Sequence, residues 1–323
     1  MRFDAASLNA LVRMGPKNVY GQALLECAAA HPELMAVCAD TCELSGLNAF
    51  FERYPQRAVN AGIAEQNMAG IAAGLASEGH NVFISTYASF ATERIFEILK
   101  IGTAAMHLNV KVVGLLSGLA SGPLGNSHYC LDDLALATLL PDFLVLSPAD
   151  SIELIKMVEY LSSYEGPAYL RVCGVNGTPL VHREDFVFEP YRAMLLHEGR
   201  DLALVATGTM VNEALRVARA LKRKNLTVSV YNFHTLKPLD EESLSKILST
   251  YPLTVTLEEH YTQGGLGDTV ARFKASQNLP SRLISFGVPQ RFLKPGSYAY
   301  LLNSCGLNAA ALAPSIEEIC HGL

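Results

Sequence analysis

Residues 62–76, Gly-Ile-Ala-Glu-Gln-Asn-Met-Ala-Gly-Ile-Ala-Ala-Gly-Leu-Ala, constrain this chain more than any other stretch. Apart from Glu65, Gln66 and Asn67, every residue in it is apolar or glycine. A helix that is apolar on all sides has no wet face, so it belongs in a protein interior or an interface. The small residues Gly70, Ala73, Gly74 and Ala76 let a second backbone come close. Glu65 stands at the start of this helix, and carboxylates are seldom buried without a partner. Desolvation there disfavours the charged form, which suits the group to sharing a proton with a ring nitrogen. The plainer reading is a first-turn acid complementing the helix dipole.

Around this stretch, short apolar runs alternate with helical ones. Asn18 to His31 reads as a helix, Leu34 to Ala39 as a strand ending at Asp40, and Ala58 to Asn60 as a strand leading to Glu65. Asn81 to Ser85 reads as a strand, Ala88 to His107 as one long helix, and Val110 to Leu116 as another strand. Leu131 to Val172 continues the alternation. The pattern breaks between Cys173 and Arg200, where Gly174, Gly177, Pro179 and Pro190 interrupt it, and restarts at Asp201. Short buried runs separated by helices are the mark of parallel sheets covered on both faces. The expected fold is therefore α/β, with two doubly wound domains on mainly parallel sheets. They cover residues 1–185 and 200–323, with a linker at about 174–200. Ligands on such sheets bind at the carboxyl ends of the strands, where Asp40, Glu65 and the loop after Leu116 fall.

A net charge of −6 without Lys/Arg clusters argues against a nucleic-acid or anionic-membrane surface. No apolar segment approaches the roughly 20 residues needed to cross a bilayer, and Met1 to Pro16 lacks a secretory apolar core. The seven cysteines, an odd number without zinc-type spacing, read mostly as reduced packing residues of a cytoplasmic protein.

Gly62-Ile63-Ala64-Glu65-Gln66 resembles the pyrimidine-binding domain of the transketolase and deoxyxylulose-phosphate synthase family. The resemblance continues in family order through Ser85–Phe90, Leu108–Gly114, Leu146–Asp150, Ala206–Gly208, His234–Asp240, Leu257–His260 and Gly264–Gly267. It implies that Glu65 hydrogen-bonds the aminopyrimidine of thiamine diphosphate and promotes the tautomer that activates the thiazolium. Phe90 and Phe96 match aromatics that line the aminopyrimidine slot; ordinary core packing is the alternative. The position three after Phe90, aromatic in transketolases, is Glu93, and Arg94 is near an arginine of the synthase branch. Asp40 matches an aspartate near the cofactor, although a strand-end Asp is often a cap. His128, in a loop resembling the family's Gly-Pro-Thr-His segment, inherits contact with the donor substrate.

Other matches fail. The family's substrate-contacting aspartate, histidine and phosphate-binding arginine align with Leu124, Leu116 and Gly174. This points to a modified or unphosphorylated sugar, or to a phosphate held by another residue such as Arg171. Asp132 and Asp133 match an acidic pair, with a solvated helix start as the alternative. Glu258, Glu259 and His260 read as structural rather than as metal ligands.

The family's Gly-Asp-Gly motif, which holds the diphosphate through Mg²⁺, does not occur. The sequence begins where the domain carrying it would end. The resemblance thus implies the C-terminal subunit of a split transketolase, partnered by an N-terminal subunit that carries the diphosphate-binding domain and the Mg²⁺. Two copies of each chain are expected. Three activities follow: ketol transfer between sugars, decarboxylation of a 2-oxo acid, or a non-catalytic partner role.

Overall fold

The computed structural model describes residues 4–322; the outermost positions of the two expected domain ranges, residues 1–3 and 323, lie outside the described residues. Helix α1 (Ala5–Met14) precedes the expected first helix, its N-terminus capped by the Asp4 carboxylate accepting from Ser7 N–H. Gly15, at φ 76°, separates it from α2 (Pro16–Cys27), which Pro16 starts without a wasted donor. There follow β1 (Leu34–Cys38), α3 (Asn48–Arg53), β2 (Ala58–Asn60), α4 (Glu65–Ser77) and β3 (Asn81–Tyr87). The next elements are α5 (Ala88–Thr92), α6 (Phe96–Ile98), β4 (Val110–Ser117), α7 (Asp133–Leu139), β5 (Leu144–Leu146), α8 (Ser151–Ser163) and β6 (Ala168–Cys173).

The second half contributes β7 (Met194–His197), β8 (Leu202–Ala206), α9 (Met210–Lys222), β9 (Val228–Asn232) and β10 (Thr235–Lys237). It ends with α10 (Glu241–Thr250), β11 (Leu253–Tyr261), α11 (Leu266–Ser276), β12 (Arg282–Val288), α12 (Tyr298–Ser304) and α13 (Ala309–His321).

The strands form two sheets. The first runs β10-β5-β6-β4-β3-β1-β2 and is parallel except for β10; the second runs β12-β11-β8-β9-β7 and is parallel except for β7. Alternation along β1 shows why both faces are covered. Leu34 and Ala36 pack under α2 and α8, while Met35 and Val37 pack under α4. The α4-side core continues without a break into Val205, Phe233, Leu236 and Leu266 of the second half.

Two sequence expectations are corrected, and the cysteines gain a detail. The long helix from Ala88 to His107 is interrupted: α5 stops at Thr92, and a π-helical segment spans Leu99–Ala104. The interruption falls where Glu93 and Arg94 turn to different partners, described below. The expected linker contains β7, an antiparallel edge strand beside β9. Among the cysteines, Cys38 and Cys42 are joined as a disulfide across the loop that carries Asp40, while the five others are free.

The middle of the first sheet holds an unanticipated buried charge. Lys111 of β4 is fully buried and donates to Asn109 Oδ1 and to Gly166 O at 2.7 Å. Burial, only partly opposed by Glu165, lowers its ammonium pKa to about 7. The unfolded chain therefore binds this proton more tightly than the folded one between about pH 7 and 10, so stability rises with pH across that window. Going from pH 7 to 9, the native chain should gain on the order of 2 kcal/mol relative to Lys111→Met, measured by urea unfolding of both. Equal pH dependence of the two would refute this.

Candidate active site

Glu65 is the first residue of α4, and its side chain is 5% exposed. The strand ends in front of it are tied together by one side chain. Asn60 Oδ1 accepts from Asp40 N–H and from Gly62 N–H, each at 3.0 Å. Asp40 itself is exposed and holds φ 58° after β1. The chain thus brings Asp40 and the start of α4 to the same edge. The rest of α4 is one-sided: Met68, Ala69, Ala72 and Ala76 are buried, but Gly70 and Gly74 are exposed with open space beside them. Ile63 is 82% exposed and Ile101 60% exposed.

The Glu65 carboxylate has a charged partner. Arg94 Nη1 lies 2.8 Å from its Oε2, and the same guanidinium sits 3.8 Å from the centroid of the Phe90 ring. Phe90 in turn packs against Tyr87 (centroids 5.4 Å apart) and His128 (5.3 Å), and Tyr87 against His128 edge-on at 4.8 Å. Four side chains from α4, β3, α5 and the loop after β4 therefore converge with Arg94 on one spot. Phe96 is placed differently, half-buried against the apolar core under α4. Tyr87 had no assigned role in the sequence reading; its position at the last residue of β3, one step before a helix, is the signal that could have found it.

His128 follows a tight 3₁₀ loop, Gly122–Ser127, and its Nδ1 pairs with Ser127 Oγ at 2.9 Å. The second half of the chain straps this loop in place. Asn126 exchanges hydrogen bonds with the Leu293 backbone (2.9 and 3.1 Å), Gly296 N–H donates to Gly122 O, and Pro295 packs on Gly125. At the loop's start, Leu119 N–H donates to Glu259 Oε1 at 2.7 Å. Glu259 also accepts from Thr209 and Tyr298, and Glu258 accepts from Leu266 and Gly267 N–H at the start of α11. That acidic pair is structural, as the sequence suggested.

Arg171 is a correction. It is 1% exposed, with Nε and Nη2 on the two Asp133 oxygens at 2.8 and 3.1 Å, and Nη2 also on Glu259 O. Tyr169 OH donates to the same carboxylate. Burial favours neutral Asp133, yet the Arg171 charge and hydrogen bonds hold its carboxyl below the ordinary range. The Nε and Nη2 donors are committed inward, to Asp133 and to the Glu259 carbonyl, which gives Arg171 a structural role in the interior. Asp133 is likewise buried rather than a solvated helix start. Its neighbour Asp132 lies beside Glu93, whose carboxyl is pushed up to about 7 by burial and by the charges of Asp132 and Asp133, against the pull of Arg94. Leu124 is half exposed, Leu116 holds φ 51° and Gly174 φ 95°, so none of the three supplies a polar group to a sugar.

An aminopyrimidine needs a flat apolar face and a carboxylate edge. Arg94 demonstrates that both exist here in reach of one planar donor, so the residues fit that group. Among the described residues, Glu93, Cys130 and Asp132 are the His, Cys, Asp or Glu side chains that lie close enough together to hold a metal ion. No helix among the described residues is long and apolar enough to cross a membrane.

Comparison with known proteins adds to this geometry. Residues 14–175 match the pyrimidine-binding domain of transketolase, and residues 192–312 the transketolase C-terminal domain. A Methanocaldococcus jannaschii chain described as a transketolase C-terminal section is 34% identical, over 95% of this chain and 96% of that one. A 6-deoxy-6-sulfo-D-fructose transketolase subunit of a Clostridium species is 32% identical over 94% of each. A split-gene transketolase, solved as an inactive beta4 tetramer, superposes with TM-score 0.82 at 35% identity, covering 93% of this chain and 96% of that one.

Proposed function

Because the chain belongs to the transketolase family, we propose that it is the C-terminal-type subunit of a split, thiamine diphosphate-dependent transketolase. It moves a ketol unit from a ketose to an aldehyde acceptor. The observation that carries this reading is the buried Glu65 carboxylate and the Phe90 ring face, both in contact with one planar group, the Arg94 guanidinium. Residues 1–185 then serve as the pyrimidine-binding domain and 200–323 as the C-terminal domain. Bound thiamine diphosphate supplies an electron sink for carbon–carbon cleavage. Glu65 holds a proton at the ring nitrogen of its aminopyrimidine, and Phe90 with Tyr87 gives that ring an apolar wall. His128, fixed by Ser127 and by the strap from the second half, hydrogen-bonds the donor sugar. Asp40 lies at the rim. The diphosphate and its Mg²⁺ fall to a separately encoded N-terminal subunit, with two copies of each chain as the assembly.

The sugar is a non-standard one. Leu116, Leu124 and Gly174 present no charge, and Arg171 is sequestered, so an ordinary sugar phosphate would lose charged hydrogen bonds of about 1.5–3 kcal/mol each. The sulfosugar specificity of the Clostridium relative supports a departure of this kind. The test is reconstitution. The chain alone should turn nothing over, whereas with its N-terminal partner, thiamine diphosphate and Mg²⁺ it should transfer ketol units. Modified or unphosphorylated ketoses should be better donors than pentose phosphates. Best activity on ordinary pentose and triose phosphates would overturn the substrate reading. Release of carbon dioxide from pyruvate would replace ketol transfer with 2-oxo-acid chemistry.

A further inference from the structure

Arg94 satisfies, in the chain alone, both contacts that the aminopyrimidine reading assigns to the coenzyme. Its guanidinium is planar and donates to Glu65 Oε2 at 2.8 Å while lying 3.8 Å from the Phe90 ring centre. That separation is already van der Waals contact between flat groups, so no ring slides between them. We propose that Arg94 is an internal occupant of the coenzyme's aminopyrimidine site, and that the coenzyme binds by displacing it. This rests on the assignment of Glu65 and Phe90 to the aminopyrimidine.

Three features support displacement rather than a fixed wall. Arg94 lies at the interruption between α5 and α6, with Ile95 at φ −115° and ψ 12°, outside the regular helical ladder. Its side chain is 44% exposed, so water is available on the way out. Its hold is weak in principle, since ion pairs with a half-exposed partner and single cation–π contacts each contribute little. The benefit is electrostatic: Glu65 is nearly buried, and a buried carboxylate left unpaired is costly. Arg94 pairs it until the coenzyme arrives and then yields. A site populated in its open form only part of the time binds its ligand more weakly by that fraction.

The experiment is calorimetric titration of thiamine diphosphate with Mg²⁺ into the reconstituted two-subunit complex carrying native chain, R94A, R94Q or E65Q. R94A should bind the coenzyme about three- to tenfold more tightly, an effect that loss of a merely structural residue would not give, and E65Q more weakly. Should R94A fail to fold, R94Q gives the same reading. Unchanged or weaker binding by the arginine variants, with E65Q weakened, overturns displacement while leaving the Glu65 assignment standing. Native-like binding by E65Q overturns that assignment, and displacement with it.

Discussion

Glu65→Gln is expected to cut turnover of the reconstituted enzyme by about 10²–10⁴-fold, the range set by loss of a positioned acid–base group. The amide keeps the shape of the side chain but cannot hold and release the proton at a ring nitrogen. Folding should survive. The partner left behind, Arg94, is 44% exposed and can turn into solvent, so the stability cost stays near the 0–1 kcal/mol of a partly exposed ion pair. Thermal melts of the two chains, run beside the turnover assay, separate the effects. Near-native turnover in Glu65→Gln or Glu65→Ala would remove the carboxylate from the chemistry and return it to a helix-start residue.

The second large effect is on stability. Asp133→Ala is expected to cost about 3–5 kcal/mol, because it strands the Arg171 guanidinium, 1% exposed, in the interior. Arg171→Met should cost a similar amount by stranding the carboxylate, which keeps the Tyr169 hydroxyl as its side-chain donor. The double replacement Asp133→Leu with Arg171→Met should recover much of the loss, since a matched apolar pair leaves no buried charge. Urea unfolding of Asp133→Leu, Arg171→Met and the double variant measures this as a double-mutant cycle, with Asp133→Ala alongside. The cycle also decides between the two roles Arg171 has been given. A substrate-binding arginine would raise KM with little change in unfolding free energy; a buried structural one would do the reverse.

What the sequence reveals depends on how local the cause is. Parallel strands covered on both faces must be apolar throughout, so β1, β4, β8 and most of the others are legible as short runs such as Leu34 to Cys38. Glu65 is legible because an acid stands out at the head of an otherwise apolar helix. Pairings across long separations leave no such trace. Arg171 and Asp133 are 38 residues apart, and nothing in Ala-Tyr-Leu-Arg-Val-Cys announces that the arginine is spent inward. The break at Glu93–Ile95 is hidden for a similar reason. The residues are good helix formers, and the partners that pull Glu93 and Arg94 apart, Asp132 and Glu65, come from other elements. Strand β10 escapes because three residues, one a lysine, carry no periodicity.

That strand has a consequence for how the molecule holds together. Thr235 and Lys237 belong by position to the second half, yet they hydrogen-bond along β5 and close the outer edge of the first sheet. Lys237 reaches further, to the carbonyls of Thr138 and Leu140. A sheet edge left unpaired is a template for mispairing with other chains. Here the seal is lent by a neighbour, so neither half is a self-sufficient body. Cutting the polypeptide at its irregular middle would bare a raw margin, and the two halves should melt as one.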